Sequence, residues 1–437
     1  MEKFFKAAER GSSATQELRA GLTTFLAMSY IIALNPLILS GAGIPISATI
    51  TSTCFGAGIM TIIMGLFSNR PIALASGLGL NSMVAVATTT LCGGDWHAGM
   101  GIVLVEGIVI LLLVLCGLRQ AIMDAIPVSL RHAISVGIGI FVAMIGLSNA
   151  GIITGNGDTL LALGQVTQPS FIVGVISIVA TIIFVAFDVK GALLLGIIVA
   201  VVSGIPLGIT GTPQGVFSLP DFTAFGAPFQ ADSEGVMGIA KVIATPALLV
   251  TAFSLMMSDF FDTMGTAMAV AKDGEFLDEN GNVEDIRSIL IVDSCAAWVG
   301  GLLGASSVTT FVESASGAAD GGRTGLSSIF CGLFFIVCAF FAPVIAVVPG
   351  AATCGALVYV GYLMMSEVTA IDWSDLLEGI PAFLSIAGIP LTYSMSSGIG
   401  LGFIAYIVVA IATGKVRQIK PLMWVAAIAF AVYFLVA

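Results

Sequence analysis

The sequence predicts an all-α polytopic membrane protein, and three observations lead to this fold class. Charged residues make up 9% of the 437-residue chain, whereas soluble domains average about 25%. Hydrophobic residues make up 58%, and the mean hydropathy is +1.09. Glycine is abundant, at 52 residues, which suits closely packed transmembrane helices. A chain with so little charge must place its outer surface in lipid, which excludes a cytosolic enzyme, a nucleic-acid-binding protein and a secreted disulfide scaffold.

Apolar stretches recur along the chain at the length needed to cross a bilayer, roughly 17 to 25 residues. Twelve stretches are predicted as spanning helices, at 20–40, 47–67, 97–118, 130–148, 169–187, 191–209, 242–271, 287–304, 326–346, 350–366, 381–395 and 397–414. Two further segments, 71–88 and 306–324, are apolar but rich in Gly, Ser and Thr, and counting both gives fourteen crossings. A final run at 421–436 is short, and it either spans the membrane or forms an interfacial or bundle-packed helix.

The positions of Lys and Arg test this count of crossings. If the N-terminus is cytoplasmic, fourteen of the fifteen Lys and Arg residues fall on the cytoplasmic side, and only Lys241 falls outside. Omitting either Gly/Ser/Thr-rich segment would move the charges that follow it to the opposite side. The distribution therefore predicts fourteen crossings in a multi-pass protein of the plasma (inner) membrane, with a cytoplasmic N-terminus.

The two halves of the chain are weakly similar to each other. Residues 71–86 can be aligned with 303–318, so that Asn81-Ser82 falls on Glu313-Ser314. Each half would contain seven segments, and the third segment of each half would be the short one. Because seven is an odd number of crossings, the second half begins on the opposite side of the membrane and is inverted relative to the first. Inverted repeats are typical of secondary transporters, whose binding site lies at mid-membrane where broken helices meet. The predicted organisation is a cytoplasmic N-terminus (1–19), a first seven-segment repeat (20–209), an extracellular loop (210–241), a second seven-segment repeat (242–414) and a C-terminal basic loop with an apolar helix (415–437).

Cysteine and histidine do not indicate a metal or disulfide site. Most of the seven cysteines lie within apolar runs without a CxxC spacing, and the two histidines, His97 and His132, are far apart. We therefore predict no cofactor, no metal site and no catalytic residue. Much of the net charge of −11 lies in two loops, 272–287 and 367–378, and no basic patch suits nucleic acid.

Five carboxylates lie deep in predicted membrane segments: Glu106, Asp259, Asp262, Asp293 and Glu313. No Lys or Arg lies at a similar depth in the sequence, and an acid inside the membrane usually faces a cavity or a partner. For each acid, the alternative to a role in transport is a structural one, such as a helix cap or a bond to a backbone amide. The structural alternative weighs most for Glu106 and Asp293.

The sequence around Glu313 and Asp262 suits a ligand site. Glu313 lies in SSVTTFVESASGAADGG, where small polar residues leave backbone groups free, an arrangement tolerated at membrane depth beside a cavity. Asp262 lies in SDFFDTMGT, and Asp259 precedes it by three residues on roughly the same helical face. Asn81 and the amides of residues 77–79 are a neutral counterpart in the third segment. These groups suit a small neutral ligand with many donors and acceptors, and they suit an anion poorly.

Aromatic side chains accompany both acids. Phe260, Phe261 and Phe311 are able to stack on a flat ring. The alternative is plain packing, which is the commoner role of Phe in a membrane helix.

Four sequence blocks together resemble the AzgA-like purine permeases of the nucleobase–cation symporter-2 (nucleobase/ascorbate transporter) family. The blocks are GLTTFLAMSYIIALNP, SGLGLN, SDFFDTMGT and SSVTTFVESASGAADGGRTG, and the resemblance extends from about Glu17 to Met423. It implies fourteen helices in two inverted repeats, divided into a core domain and a gate domain, with segments 3 and 10 part-extended. It also implies proton-coupled uptake of adenine, guanine and hypoxanthine.

The same resemblance implies that the nucleobase binds between segments 3, 8 and 10. Asn81, Asp262 and Glu313 match the family's substrate-site positions, where the two acids would hydrogen-bond the purine. Four neighbours complete the expected binding set: Gly79, Phe261, Thr310 and Phe311. Glu313, Asp262 and Asp259 are the candidates for carrying the coupled proton.

Four positions depart from the family pattern. Ser76 and Ser82 replace Pro and Ala beside the expected site, Phe311 stands where Tyr is usual, and Asp320 stands where Ala is common. These changes leave the transport class unchanged, but they leave the preferred purine and the coupling ion open.

The predicted mechanism is alternating access by an elevator-like shift of the core domain against the gate domain. The expected partners are a purine nucleobase, a coupling proton and the lipid bilayer, without nucleic acid, while sodium coupling and a homodimer are left open. A rival interpretation is an anion carrier of the same architecture, which would prefer a cation or a carboxylate-free site. An intramembrane aspartyl protease would need a GxGD motif and aspartates on two helices, and a channel would need neither inverted repeats nor buried acids.

Overall fold

Helices account for most of the chain in the computed structural model, which describes residues 2–117, 126–156, 159–232, 235–278 and 283–436. Several helices begin at a polar side chain that accepts a hydrogen bond from a backbone N–H of the first turn, as Ser13, Asp95, Thr324 and Asp375 do. In the first half the helices are α1 Glu2–Phe5, α2 Ala14–Met28, α3 Ile31–Ser40, α4 Ile46–Ser68, α5 Leu78–Thr90, α6 Trp96–Leu115, α7 Val128–Asn149, α8 Pro169–Ala186 and α9 Ala192–Gly204. In the second half they are α10 Gly238–Ala244, α11 Pro246–Asp273, α12 Ile286–Leu303, α13 Ser314–Ala319, α14 Gly325–Cys338, α15 Ala342–Ile345, α16 Cys354–Met365, α17 Leu376–Leu391, α18 Met395–Ala412 and α19 Pro421–Val436.

The helices confirm a polytopic all-α fold. Each of the fourteen predicted segments contains a helix. Within the described residues, ten helical stretches are long and apolar enough to cross a membrane, with α2 and α3 counted as one stretch. Three shorter apolar helices, α9, α17 and α19, accompany them. The count of fourteen crossings and the boundaries of the two repeats stay predictions.

The first predicted segment, 20–40, is interrupted rather than a single regular helix. A turn at Ser29 and Tyr30 separates α2 from α3, and the backbone hydrogen bonds there include contacts between residues three apart. The apolar pattern continues through the turn, so it gave no sign of the interruption. The turn places Tyr30 at the centre of the first segment.

Two of the segments contain short strands, as the resemblance implies for segments 3 and 10. β1 (Leu74–Ser76) pairs with β4 (Val308–Thr310) in an antiparallel register, with Ala75 opposite Thr309. Because the strands are antiparallel, α5 and α13 leave the crossing in opposite directions, as inverted halves require. A separate hairpin of β2 (Ile153–Asn156) and β3 (Thr159–Leu163) follows α7.

The helices pack mainly in two groups. The first group contains α2–α6 and α10–α14, in which α4 packs on α14 and α6 packs on α12. The second group contains α7–α9 and α16–α18, in which α7 packs on both α16 and α17. Contacts between the groups are sparser and involve α5 and α11 on one side and α7 and α18 on the other. This division agrees with the core and gate domains that the resemblance implies.

Glycine allows a very close crossing of α4 and α14 inside the first group. A Cβ atom at Gly65 in α4 would lie 2.3 Å from the backbone oxygen of Gly325 in α14, and one at Gly58 would lie 2.8 Å from that of Gly332. Real Cβ atoms do not approach a backbone so closely, so these backbones touch because both sides lack a side chain.

The last helix, α19, packs into the bundle. It contacts α11 and α18, and the ring of Phe430 is fully buried against that of Phe403, with 5.5 Å between ring centroids. Its other face carries exposed apolar side chains such as Val425 and Ile428. This packing favours the bundle-packed alternative for the run at 421–436.

Candidate functional site

The site is built around the crossing of β1 and β4. Beyond the paired strands, the Gly77 N–H donates to the Ser307 carbonyl at 3.0 Å, and the Phe311 N–H donates to the Ala73 carbonyl at 3.0 Å. These bonds satisfy extended backbone that would otherwise lack partners inside a membrane protein. The crossing thereby fixes the positions of the residues that follow it, Asn81 in α5 and Glu313 before α13.

Glu313 is held by a tyrosine that the sequence reading did not identify. The Tyr30 hydroxyl donates to Glu313 Oε1 at 2.5 Å, from the turn between α2 and α3. Tyr30 is buried, whereas Glu313 is half-buried, so the carboxylate keeps an accessible side. A short bond to a carboxylate is stronger than a neutral hydrogen bond, and it restricts the carboxylate to one orientation.

Asp262 and Asp259 differ in environment although three residues separate them on α11. The side chain of Asp262 is exposed, although many protein atoms lie around it. Asp262 also lies within electrostatic range of Asp293 and Glu313. An exposed carboxylate in a membrane helix faces water rather than lipid, because a charge facing lipid is costly. Asp259 is fully buried. Three residues correspond to a rotation about 60° short of a full turn, which is enough to aim the two acids differently.

The side chain of Asn81 has unused hydrogen-bonding capacity. Its side chain is fully buried on α5, and within the described residues neither its oxygen nor its nitrogen has a hydrogen-bond partner. A buried carboxamide without partners costs about 1–3 kcal/mol for each unsatisfied group. Such a group is a candidate for binding a ligand that has both donors and acceptors.

Gly79 lies where the two helix groups meet. A Cβ atom there would lie 2.6 Å from Cγ2 of Ile138 in α7 and 3.5 Å from Cε of Met395 in α18. Its small size therefore has a packing reason in addition to the expected exposure of its backbone.

Thr310 and Phe311 lie at the end of β4. The Thr310 N–H donates to Asp293 Oδ1 at 3.1 Å, while its buried hydroxyl has no partner within the described residues. Phe311 is buried. The side chain of Phe261 lies outside what the structure describes.

Asp293 is a structural hub that holds β4 against α11. It accepts hydrogen bonds from the hydroxyls of Thr263 (2.7 Å) and Thr309 (3.1 Å), as well as from the Thr310 N–H. This matches the structural alternative considered for Asp293, a buried carboxylate bonded to a backbone amide. The sequence signal was available in the threonines of FFDTMGT and SSVTT.

Asp320, which follows α13, pairs with two basic side chains. Asp320 accepts from Arg19 at 3.0 Å, from Lys190 at 2.8 Å and from the Thr23 hydroxyl at 2.8 Å. Lys190 lies between α8 and α9, in the second helix group, whereas Asp320 follows α13 in the first. The Lys190–Asp320 pair therefore joins the two groups.

A second cluster lies before α6, around Asp95. Lys241 Nζ lies 3.0 Å from Asp95 Oδ2 and also pairs with Asp232, while the His97 N–H donates to Asp95 Oδ1 at 3.1 Å. Burial alone would raise the pKa of Asp95, but the hydrogen bonds from Lys241 and His97 outweigh it and lower that pKa. Lys241 is the residue that the charge distribution placed outside, and here it serves as a structural counter-ion.

The chain matches known permeases over most of its length. A family model described as a permease family matches residues 15–401. The chain is 40% identical over 434 residues to a putative permease of Methanocaldococcus jannaschii, covering 99% of this chain and 98% of that protein. It is 38% identical to the adenine permease AdeP of Escherichia coli, covering 98% and 95% of the two chains. It is 36% identical to the guanine/hypoxanthine permease PbuO of Bacillus subtilis, covering 98% of each chain.

Solved structures show the same fold at low sequence identity. The transmembrane domain of the cyanobacterial bicarbonate transporter BicA superposes with a TM-score of 0.61 at 16% identity, covering 90% of this chain and 97% of that domain. At this identity the likeness concerns the fold alone. The extent of the family match and the identities to full-length relatives show that this chain belongs to the nucleobase/ascorbate transporter family of permeases and is a transporter rather than an enzyme.

Proposed function

We propose that this permease is a proton-coupled symporter of purine nucleobases in the plasma membrane, with its N-terminus in the cytoplasm. The chain's relatives include an adenine permease and a guanine/hypoxanthine permease at 38% and 36% identity. Adenine, guanine and hypoxanthine are neutral, flat rings whose edges carry both N–H donors and ring-nitrogen acceptors. The proposed site must therefore offer acceptors and donors without a net positive charge.

The arrangement around the strand crossing carries this proposal. Glu313 and Asp262 are carboxylates with accessible sides, within electrostatic range of each other, and the buried Asn81 side chain has no partner within the described residues. Two carboxylates accept N–H groups from a purine, and a carboxamide both donates and accepts. Gly79, Phe261, Thr310 and Phe311 complete the proposed binding set, in which the phenylalanines contact the faces of the ring.

The same carboxylates support the proposed proton coupling. Within the described residues, Asp262 and Glu313 have no ion pair with Lys or Arg, so a proton is the simplest positive charge that neutralises one of them. We assign the coupled proton to the carboxylates of the site, with Glu313, Asp262 and Asp259 as candidates. The alternative ion is sodium, and the experiment below separates the two.

The division into two helix groups supports an elevator-like mechanism. The strand crossing and its carboxylates belong to the first group, so a movement of this group against the second would carry the bound purine with it. Gly79, which lies against Ile138 and Met395, marks the surface over which this movement would occur.

Transport into liposomes tests the coupling. Purified protein is reconstituted and the uptake of labelled hypoxanthine is measured with an inward proton gradient, with an inward sodium gradient and with neither. We expect accumulation above the external concentration only with the proton gradient. Equal uptake with and without that gradient contradicts proton coupling, and accumulation that follows sodium alone assigns the coupling to sodium.

A site variant tests the assignment of the carboxylates. Glu313→Gln removes the charge and retains the shape, and we expect purine binding and uptake to fall at least tenfold, because the interaction of an N–H with a carboxylate is worth about 1.5–3 kcal/mol. Glu9→Gln, at an exposed glutamate far from the crossing, is the matched control. Unchanged binding in Glu313→Gln contradicts the assignment.

Competition distinguishes the purine from the anion interpretation. Adenine, guanine, hypoxanthine, xanthine, uracil and bicarbonate each compete with the labelled purine. A bicarbonate transporter shares this fold, but two accessible carboxylates would repel an anion at the proposed site. We expect the purine bases to compete and bicarbonate to leave uptake unchanged.

A further inference from the structure

Glu106 occupies a position that the proposed purine site does not use. It lies in the middle of α6 and is 1% exposed, and it accepts a hydrogen bond from Ser307, which precedes β4. The adjacent Gly107 brings α6 against α12, where a Cβ atom would lie 2.2 Å from the backbone nitrogen of Trp298. The Glu106 carboxyl is therefore enclosed by protein on a tightly packed face.

The hydrogen bonds of Glu106 are too few for a buried carboxylate ion. The Ser307 hydroxyl donates to Oε1 at 3.4 Å, which is long for a hydrogen bond, and Oε2 has no partner within the described residues. Asp293 provides the contrast, because one N–H and two hydroxyls donate to it. A buried charge needs several such donors or a cation, whereas within the described residues Glu106 has one long hydrogen bond and no ion pair.

The charged groups that face Glu106 from neighbouring helices have the same sign. Asp259 on α11 and Asp293 on α12 lie within electrostatic range of it. Asp293 accepts three hydrogen bonds, an arrangement that suits a carboxylate, so an ionised Glu106 would face a second carboxylate in a medium of low dielectric constant. The neutral acid, which carries its own O–H donor, is the form that this position favours.

We propose that Glu106 holds the coupled proton, which it receives from the candidate acids of the site, and that Glu106 itself does not contact the purine. This inference rests on the proton coupling proposed above. Asp262 is exposed, and Asp259, three residues earlier on the same helix, lies within electrostatic range of Glu106, so we infer that the proton enters and leaves along α11. On one side of the membrane the proton binds to Glu106, and on the other it returns to water through the same acids.

Ser307 links this proton to the purine site. Its hydroxyl contacts Glu106, and its backbone carbonyl accepts the Gly77 N–H at the strand crossing. When Glu106 ionises, its carboxylate attracts the Ser307 hydroxyl more strongly. The attraction displaces Ser307, whose backbone carbonyl anchors β1 to β4. Proton loss thereby loosens the crossing that positions Asn81 and Glu313, so the protein binds purine more weakly when Glu106 is ionised than when it is neutral.

The variant Glu106→Gln tests the inference, because a glutamine mimics the neutral acid but cannot release a proton. Two readouts are measured in liposomes, which are counterflow of labelled hypoxanthine without a proton gradient and accumulation driven by an inward proton gradient. We expect counterflow within about twofold of the unmodified protein, since counterflow needs no net proton movement. We expect gradient-driven accumulation to fall to the equilibrium ratio of one.

Two results overturn the inference without affecting the proposed function. One is accumulation by Glu106→Gln that equals that of the unmodified protein, and the other is an equal loss of counterflow and accumulation in correctly inserted protein. If the unmodified protein itself does not respond to the proton gradient, the proposed coupling fails, and the inference fails with it.

A second variant keeps the inference testable if Glu106→Gln does not insert. Ser307→Ala removes the hydroxyl that donates to Glu106 and leaves the titrating group in place. Because a hydrogen bond to an ionised group stabilises the charged form, its loss should move the pH midpoint of gradient-driven uptake upward, by about half a unit to one unit. Ser316→Ala, in α13, is the matched control, because that hydroxyl donates to a backbone carbonyl. An unchanged midpoint in Ser307→Ala overturns the inference.

Discussion

The crossing of α4 and α14 allows a stability prediction that can be worked from distances. Gly65→Ala would place a Cβ atom 2.3 Å from the Gly325 carbonyl oxygen and 3.0 Å from the Ser328 Cβ atom. The two helices would have to separate by about 1 Å to restore an ordinary contact, and overpacking of this kind costs about 1–3 kcal/mol. Against this cost, replacing Gly by Ala within a helix gains about 1 kcal/mol of intrinsic helix stability.

A control variant allows the contribution of helix propensity to be subtracted from the stability change of Gly65→Ala. Gly265 lies in the middle of α11, and a Cβ atom there would have no neighbour within 4 Å. Gly265→Ala should therefore gain up to about 1 kcal/mol of folding stability from helix propensity. Gly65→Ala should gain the same amount but lose the close packing of α4 against α14. We expect the free energy of unfolding of Gly65→Ala to be about 1–3 kcal/mol lower than that of Gly265→Ala.

Thermal unfolding of the detergent-purified variants measures this difference. The expected order of midpoints is Gly265→Ala at or above the unmodified protein, and Gly65→Ala below both. If Gly65→Ala unfolds at the same temperature as Gly265→Ala, the close approach of α4 and α14 does not require glycine at position 65, and the packing argument is wrong.

Three further predictions concern the hydrogen bonds and ion pairs. Tyr30→Phe removes the donor that orients the carboxylate of segment 10, so purine affinity, measured by equilibrium binding, should fall about tenfold, and unchanged affinity would show that the orientation does not matter. Lys190→Ala removes an ion pair that must break whenever the two helix groups move apart, so turnover should rise about two- to fivefold; an effect that persists in the Asp320→Ala background would not come from this pair. The pKa of Asp95 is lowered in the folded protein, so its charge contributes stability above its ordinary pKa near 3.8, which is lost as the pH falls through the lower folded value. Asp95→Asn should therefore lower the midpoint of thermal unfolding at pH 7, and this difference should shrink toward pH 3.

The helices could be predicted from the sequence because lipid leaves the backbone few alternatives. A segment that cannot hydrogen-bond to water must satisfy its own N–H and C=O groups, so each apolar stretch of sufficient length is expected to contain a helix. The same pattern did not predict the turn at Ser29 and Tyr30, because the residues on both sides of the turn are apolar.

The sequence identifies the polar residues of the candidate site but not the side chains that hydrogen-bond to them. Asp262, Glu313 and Asn81 were identifiable because polar groups are conspicuous at membrane depth. Tyr30 was missed because a tyrosine in an apolar run normally packs against its neighbours, and its partner lies 283 residues further along the chain. Which acid is a structural hub depends on the number of donors that tertiary packing brings to it, as the threonines around Asp293 show.

The pairing of β1 with β4 has a consequence for the order in which the protein is made. More than 230 residues separate the two strands in the sequence, so the first strand leaves the ribosome roughly ten to fifty seconds before the second, at the usual rate of synthesis. During this interval β1 presents an unpaired edge at membrane depth, where unsatisfied backbone groups are costly. The inserted first half must therefore wait in a protected form, either beside the insertion machinery or around trapped water, until residue 310 arrives. Truncated chains that end before β4 should be recognised and degraded, and the transporter's quality control would thus depend on a contact of three residues.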